Sequence, residues 1–254
     1  MRVFHHLRVI ASPTAILGAI LVAGCGAPHG QPRRGSEILP PNQISDFGTL
    51  FSENCSACHG AEGKGGAAIA LANPVYLAIV DDASIRKVTA QGIPATAMPA
   101  FAQSAGGMLT DAQIEVITRG IRSRWGQKGI LDAASAPPYA PKSPGDADRG
   151  EAAYKTFCES CHGPAGRGGQ KASAITGGSF LALISDQSLR TIAITGRPEL
   201  GAPDWRGNVP GRPMSDQEIT DVVAWLASRR VPNPGQPYPA FNSQSQESEG
   251  AKRK

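Results

Sequence analysis

Cys55-Ser56-Ala57-Cys58-His59 and Cys158-Glu159-Ser160-Cys161-His162 repeat one pattern, Cys-x-x-Cys-His, at two places in the chain. Two thiols at this spacing can form thioether bonds with the two vinyl groups of a haem, and the adjacent histidine can bind the iron. A zinc site would need further ligands, and the remaining cysteine and histidines lie near the N-terminus: Cys25, His5, His6 and His29. A redox dithiol would need a βαβ context, which neither motif has. The pattern therefore predicts two covalently attached haems c.

The two motifs mark an internal duplication. When Cys55 is aligned with Cys158, matching segments follow in the same order along the chain. They are a glycine-rich segment (60–66 and 163–169), a hydrophobic-arginine pair (85–86 and 189–190) and a helix start (109–111 and 214–216). Such a repeat predicts two copies of one structural unit.

Each copy has the pattern of about three helices. The expected bounds are about 45–57, 82–91 and 111–124 in the first copy, and 147–160, 186–195 and 216–229 in the second. Thr110 and Ser215 are expected N-caps, and acidic residues follow each of them, as the helix dipole favours. Apolar residues of the last helix recur on one face, which predicts a core-facing stripe, and Trp225 is placed to pack on the first helix of its copy. The predicted fold is all-α, with two tandem domains each built around one haem.

These features resemble the class I cytochrome c family in a tandem diheme form. The resemblance covers 43–127 and 145–231. It implies covalent haem c and one-electron transfer between redox-partner proteins. The formal net charge of +4 comes without a basic cluster, so no nucleic-acid partner is expected.

The distal iron ligands are expected to differ between the copies. In the first copy, Met98-Pro99-Ala100-Phe101 resembles the family's Met-Pro loop, which implies Met98 as the sulfur ligand. Met108 is a competitor, but it adjoins the start of the last helix.

In the second copy, Ala202 aligns with Met98, and the available methionine, Met214, aligns with Leu109. Two alternatives follow. A rebuilt loop of residues 203–213 could bring Met214 to the iron as a ligand. Otherwise Met214 packs at the helix start, and the iron keeps an open or water-bound position or takes an unexpected ligand.

The N-terminus predicts export. Residues 1–24 have a basic start followed by a short apolar stretch, as in a secretory signal peptide. They end in Val22-Ala23-Gly24 before Cys25, which resembles the lipidation site of bacterial lipoproteins; an ordinary signal or an uncleaved anchor is the alternative. The expected location is the periplasmic side of a membrane or the cell surface, with the lipid on Cys25 as anchor.

Three segments are expected outside the domains: a lipidated tether (25–42), a linker (128–144) and a disordered tail (232–254). The predicted function is electron transfer by a membrane-tethered diheme cytochrome, with no catalytic residue. A cytochrome subunit of a respiratory or dehydrogenase complex is one alternative. A catalytic or sensing protein with an open second haem is another.

Overall fold

The computed structural model describes residues 39–131, 136–232 and 234. Both copies of the repeat belong to one structural unit, Asn42–Lys254. The predicted signal peptide, Cys25, and nearly all of the tether and of the tail lie outside the described residues.

Each copy contains five helices. Those of the first copy are α1 (Phe47–Asn54), α2 (Ser56–His59), α3 (Pro74–Ile79), α4 (Asp82–Gln91) and α5 (Asp111–Trp125). Those of the second copy are α6 (Ala147–Phe157), α7 (Glu159–His162), α8 (Gly178–Leu183), α9 (Asp186–Thr195) and α10 (Asp216–Ala227). The described residues contain no β-strand, so the all-α prediction is confirmed.

Each predicted helix has an observed counterpart, but α1 begins two residues later than expected, α5 ends one residue later and α10 ends two residues earlier. The bounds of α4 and α9 are those expected, whereas the first helix of each copy is interrupted at the first motif cysteine. Cys55 and Cys158 have φ near −120°, outside the helical range, so the motif forms a separate single turn. The short helices α3 and α8 were not predicted.

Side-chain caps explain where several helices begin. Asp81 caps α4 by accepting a hydrogen bond from the Ser84 backbone N–H. Thr110 and Ser215 form capping boxes at the starts of α5 and α10. Asn73 caps α3, and Pro74 occupies its first position.

The first and last helices of each copy pack through aromatic side chains. In the first copy, the ring of Trp125 lies 5.8 Å from that of Phe47 and 5.0 Å from that of Phe51, both roughly edge to face. In the second copy, Trp225 stacks on Tyr154 at 4.4 Å, which confirms the predicted packing of Trp225 on the first helix. These aromatic contacts hold the first and last helices of each copy together next to its motif.

An arginine makes the same three contacts in both copies. Arg122 donates to the Leu77 and Val80 carbonyls and pairs with Asp82. Arg230 donates to the carbonyls of Leu181 and Ile184 and pairs with Asp186. Arg122 lies in α5 and Arg230 lies three residues after the end of α10, and each binds the carboxyl end of the short helix of its copy (α3 or α8).

The two copies share an interface. Asn73 Nδ2 donates to the Thr195 carbonyl at 3.0 Å, and Val75 of α3 packs in the core of the second copy. The Ala97 backbone N–H donates to the Leu183 carbonyl at 3.5 Å, beside the predicted Met98 loop.

The predicted linker takes part in this interface. The Tyr139 side chain packs against the first core, and its carbonyl accepts hydrogen bonds from Gln187 and Arg190 of α9. Leu131 and Ala136 pack against the second core. The described parts of the linker are therefore bound between the copies.

Candidate haem-binding sites

The two Cys-x-x-Cys-His motifs have the same backbone geometry. The Cys55 carbonyl accepts from the N–H groups of Cys58 at 3.2 Å and His59 at 3.0 Å. The Cys158 carbonyl accepts from Cys161 at 3.1 Å and His162 at 3.0 Å. The two cysteines of each motif are free thiols at either end of one helical turn, the arrangement that two thioether bonds to one haem require.

Both motif histidines are oriented by a hydrogen bond of their Nδ1. His59 Nδ1 lies 2.8 Å from the Ile69 carbonyl, and His162 Nδ1 lies 2.8 Å from the Ser173 carbonyl. Because a carbonyl can only accept, Nδ1 is the donor in each ring, which leaves Nε2 as the nitrogen that can bind a metal. Histidines that bind a metal usually donate from their other ring nitrogen to such a carbonyl, which fixes the orientation of the ring.

A glycine follows each histidine because the chain turns back there. Gly60 has φ +83° and Gly163 has φ +73°. A Cβ would lie 1.9 Å from the Lys64 carbonyl oxygen at the first position and 2.1 Å from that of Gly168 at the second. The glycine-rich segments therefore return the chain across the motif to the carbonyls that hold the histidines.

Burial favours the neutral form of the first cysteine of each motif and of His59. Burial raises the pKa of Cys55 to about 11 and that of Cys158 to about 12, with a smaller contribution from the second cysteine of each motif. Burial also lowers the pKa of His59, as does the positive charge of Arg197, whereas the Ile69 carbonyl opposes the change. A neutral imidazole is the form that binds iron.

The two histidines differ in exposure. His59 is 7% exposed, and it lies near the interface between the copies, where Arg197 of the second copy donates to the Gly66 carbonyl at 2.8 Å. His162 is less buried. Arg197 pairs with Glu199 at 2.5 Å, and sequence reasoning missed both residues because their proximity to the first motif depends on how the copies pack.

The backbone of the distal loop keeps one register in both copies. The Met98 carbonyl accepts from the Ile93 N–H at 3.0 Å, and the Ala202 carbonyl accepts from Arg197 N–H at 3.0 Å. Ala202 therefore occupies the place of Met98, as the repeat alignment predicts.

The end of this loop also matches between the copies. Leu109 N–H donates to the Phe101 carbonyl at 2.8 Å, and Met214 N–H donates to that of Trp205 at 2.9 Å. Met214 accordingly stands where Leu109 stands.

The three methionines near the motifs have different surroundings. Met98 is partly buried, and Met108 is 80% exposed. Met214 is 3% exposed and belongs to the core of the second copy, as Leu109, at 5%, belongs to that of the first. Asn208 Nδ2 lies 3.8 Å from Met214 Sδ.

The model of one protein family matches both copies. The family is described as "Cytochrome C oxidase, cbb3-type, subunit III", and the matches cover residues 42–119 and 145–226, more than half of the chain. The chain belongs to this family. The resemblance to tandem c-type cytochromes is thereby confirmed, and the family supports haem c as cofactor and electron transfer as function.

Two further proteins are similar to parts of the chain. The "Cbb3-type cytochrome c oxidase subunit CcoP" of Azospirillum sp. (strain B510) is 34% identical over 131 residues, 47% of this chain and 39% of that protein. The chain thus spans well under half the length of this relative. A chain of the "Kuenenia stuttgartiensis reducing HAO-like protein complex Kustc0457/Kustc0458" aligns with a TM-score of 0.41 and 17% identity, over 76% of this chain and 100% of that one.

Within residues 39–131, 136–232 and 234, no helix has the length and apolar character needed to cross a membrane.

Proposed function

We propose that this cytochrome carries two haems c and passes single electrons between redox partners outside the cytoplasm. The first haem would be held by Cys55, Cys58 and His59, and the second by Cys158, Cys161 and His162. The observation that carries this proposal is the duplicated motif in which both histidines have the same Nδ1 hydrogen bond to a loop carbonyl. When bound, haem supplies reversible one-electron chemistry at its iron.

The residues of the chain position and tune these groups. Met98 is the proposed second ligand of the first iron, because it follows the motif in the expected loop and is partly buried. A thioether ligand raises the reduction potential of a haem. Met108 is too exposed for this role and lies beyond the loop.

Location follows from the N-terminal sequence. Residues 1–24 have the composition of an export signal, and Cys25 stands where a bacterial lipoprotein carries its lipid. Export also places the motif cysteines where haem is attached to such chains. We therefore place the protein on the periplasmic side of a membrane or at the cell surface, anchored through Cys25.

The partner assignment rests on the relative. The Azospirillum protein is named as a subunit of a cbb3-type cytochrome c oxidase. By analogy, this chain would exchange electrons within a respiratory complex rather than act alone as a soluble carrier. The family match covers both cytochrome domains of this chain, so the analogy concerns electron transfer and not oxygen reduction.

Haem stoichiometry tests the central claim. Mass spectrometry of the protein made in a host that attaches haem c should find two covalent haems. Replacing Cys55 and Cys58 with serine should leave one haem, and replacing Cys158 and Cys161 should also leave one. A wild-type protein with a single haem, or with none, would refute the diheme assignment.

A further inference from the structure

The loop that follows the second motif differs from its counterpart at the position where the first copy has Met98. Ala202 holds the position of Met98, and its carbonyl makes the same 3.0 Å hydrogen bond to the chain. The methyl group of alanine offers no atom that can bind iron. The backbone register therefore places no methionine where the first copy has one.

Met214 is held away from this position by its own contacts. Its backbone N–H bonds to the Trp205 carbonyl, as Leu109 bonds to Phe101 in the first copy. Its side chain is 3% exposed in the second core and lies 3.8 Å from Asn208. Bringing its sulfur to the iron would give up the Asn208 contact and leave a cavity in the second core, which would destabilise the fold.

The other polar side chains of this loop are engaged. Glu199 pairs with Arg197, and Asp204 pairs with Arg206 at 2.6 Å. Arg212 pairs with Glu218 at 2.8 Å. All charged side chains of residues 197–213 are therefore in ion pairs. Neither Glu199 nor Asp204 has a carboxylate free to bind the iron.

We propose that the second haem binds a small uncharged diatomic molecule, such as carbon monoxide or nitric oxide, at the distal position that Met98 fills at the first. The inference rests on the proposed attachment of haem to Cys158, Cys161 and His162. Ala202 supplies no ligand atom at the position of Met98, and the paired charges of the loop favour an uncharged ligand over an anion. Ferrous haem with an open position binds such molecules by simple coordination, so no electron or proton needs to be supplied beyond the reduction of the iron.

Carbon monoxide added to the reduced diheme protein is the direct test. The expected result is a spectral change from half of the haem, with one carbon monoxide bound per two haems. Ala202→Met should remove this binding by supplying the missing thioether. Met98→Ala is the matched change in the first copy and should raise the stoichiometry to two per protein.

Two controls separate the possible failures. Haem content by mass spectrometry is measured first, so a missing second haem counts against the proposed function. Two haems without carbon monoxide binding would overturn the present inference. Met214→Leu preserves the core and should leave binding unchanged; if binding appears only in this variant, Met214 is the ligand and the inference is wrong.

Discussion

Replacing Arg190 with alanine should lower the free energy of unfolding by roughly 3–5 kcal/mol, the usual cost of breaking a buried ion pair. The Arg190 side chain is 2% exposed, and its guanidinium donates to four acceptors. These are the carbonyls of Pro138 and Tyr139, the Thr220 hydroxyl and the Asp216 carboxylate. Alanine would remove all four of these bonds, and it would leave Gln187 to hold the Tyr139 carbonyl of the linker against α9.

The duplication supplies a matched control. Arg86 occupies the aligned position in the first copy, but its side chain is 47% exposed and pairs with Glu115 at 2.7 Å. An exposed pair contributes about 0–1 kcal/mol, so Arg86→Ala should change stability little. Because Arg86 and Arg190 carry the same charge at the same position of the repeat, the difference in stability between their alanine variants measures the effect of burial.

Thermal unfolding of the haem-loaded protein, followed by circular dichroism, measures both variants. For a chain of this size 1 kcal/mol corresponds to about 2–4 °C in Tm, so Arg190→Ala should lower Tm by roughly 6–20 °C and Arg86→Ala by no more than about 4 °C. Arg190→Lys should fall between them, because an ammonium cannot span the four acceptors. Equal small losses for both alanine variants would refute the argument that the buried Arg190 stabilises the fold by holding the linker against the second copy.

Three further outcomes are expected. Arg197→Gln should lower the potential of the first haem in a redox titration, by roughly 1 kcal/mol in favour of ferric iron, because a positive charge near its motif is lost while Glu199 remains; an unchanged potential would contradict this. Cys25→Ser should move the protein from the membrane fraction to the soluble one or leave an uncleaved precursor, since each buried lipid CH₂ contributes about 0.8 kcal/mol; unchanged fractionation and mass would reject the lipid anchor. Asp221→Asn should cost roughly 1–3 kcal/mol at neutral pH, and urea unfolding should show this deficit shrinking in acid. Burial alone would raise the pKa of Asp221, but hydrogen bonds from Arg149, Gln217 and the Asp146 N–H hold it below its usual value. Its contribution is therefore present above the pKa of the unfolded chain and is lost as pH falls through the lower folded pKa; a deficit that persists in acid would argue against this linkage.

The motifs and the repeat were readable from sequence because covalent chemistry prescribes their residue types and spacing. The bounds of α4 and α9 could be predicted because an N-cap marks the start of each and a glycine follows the end of each. Helix α3 had a usable signal in Asn73 followed by Pro74, and it was overlooked. Helix α8 has no side-chain cap, so its six residues gave no comparable signal.

Contacts between distant segments could not be predicted from local patterns. Arg86 and Arg190 look alike in the sequence, yet one is exposed and the other buried. The difference arises because the linker carbonyls of Pro138 and Tyr139 cover Arg190 in the folded chain. The approach of Arg197 to the first motif has the same origin, since it depends on how the second copy packs against the first.

The distal loops explain how two copies with one backbone can differ in chemistry. Their register is set by main-chain hydrogen bonds, at Met98 and Leu109 in one copy and at Ala202 and Met214 in the other. Main-chain bonds do not depend on the side chain, so an exchange of methionine and alanine changes the group offered to the iron without moving the loop. For that reason Ala202→Met and Met98→Ala should exchange ligand-binding properties between the copies while leaving both folds intact. A variant that lost its fold would show that the side chain at this position, and not only the backbone, determines the loop.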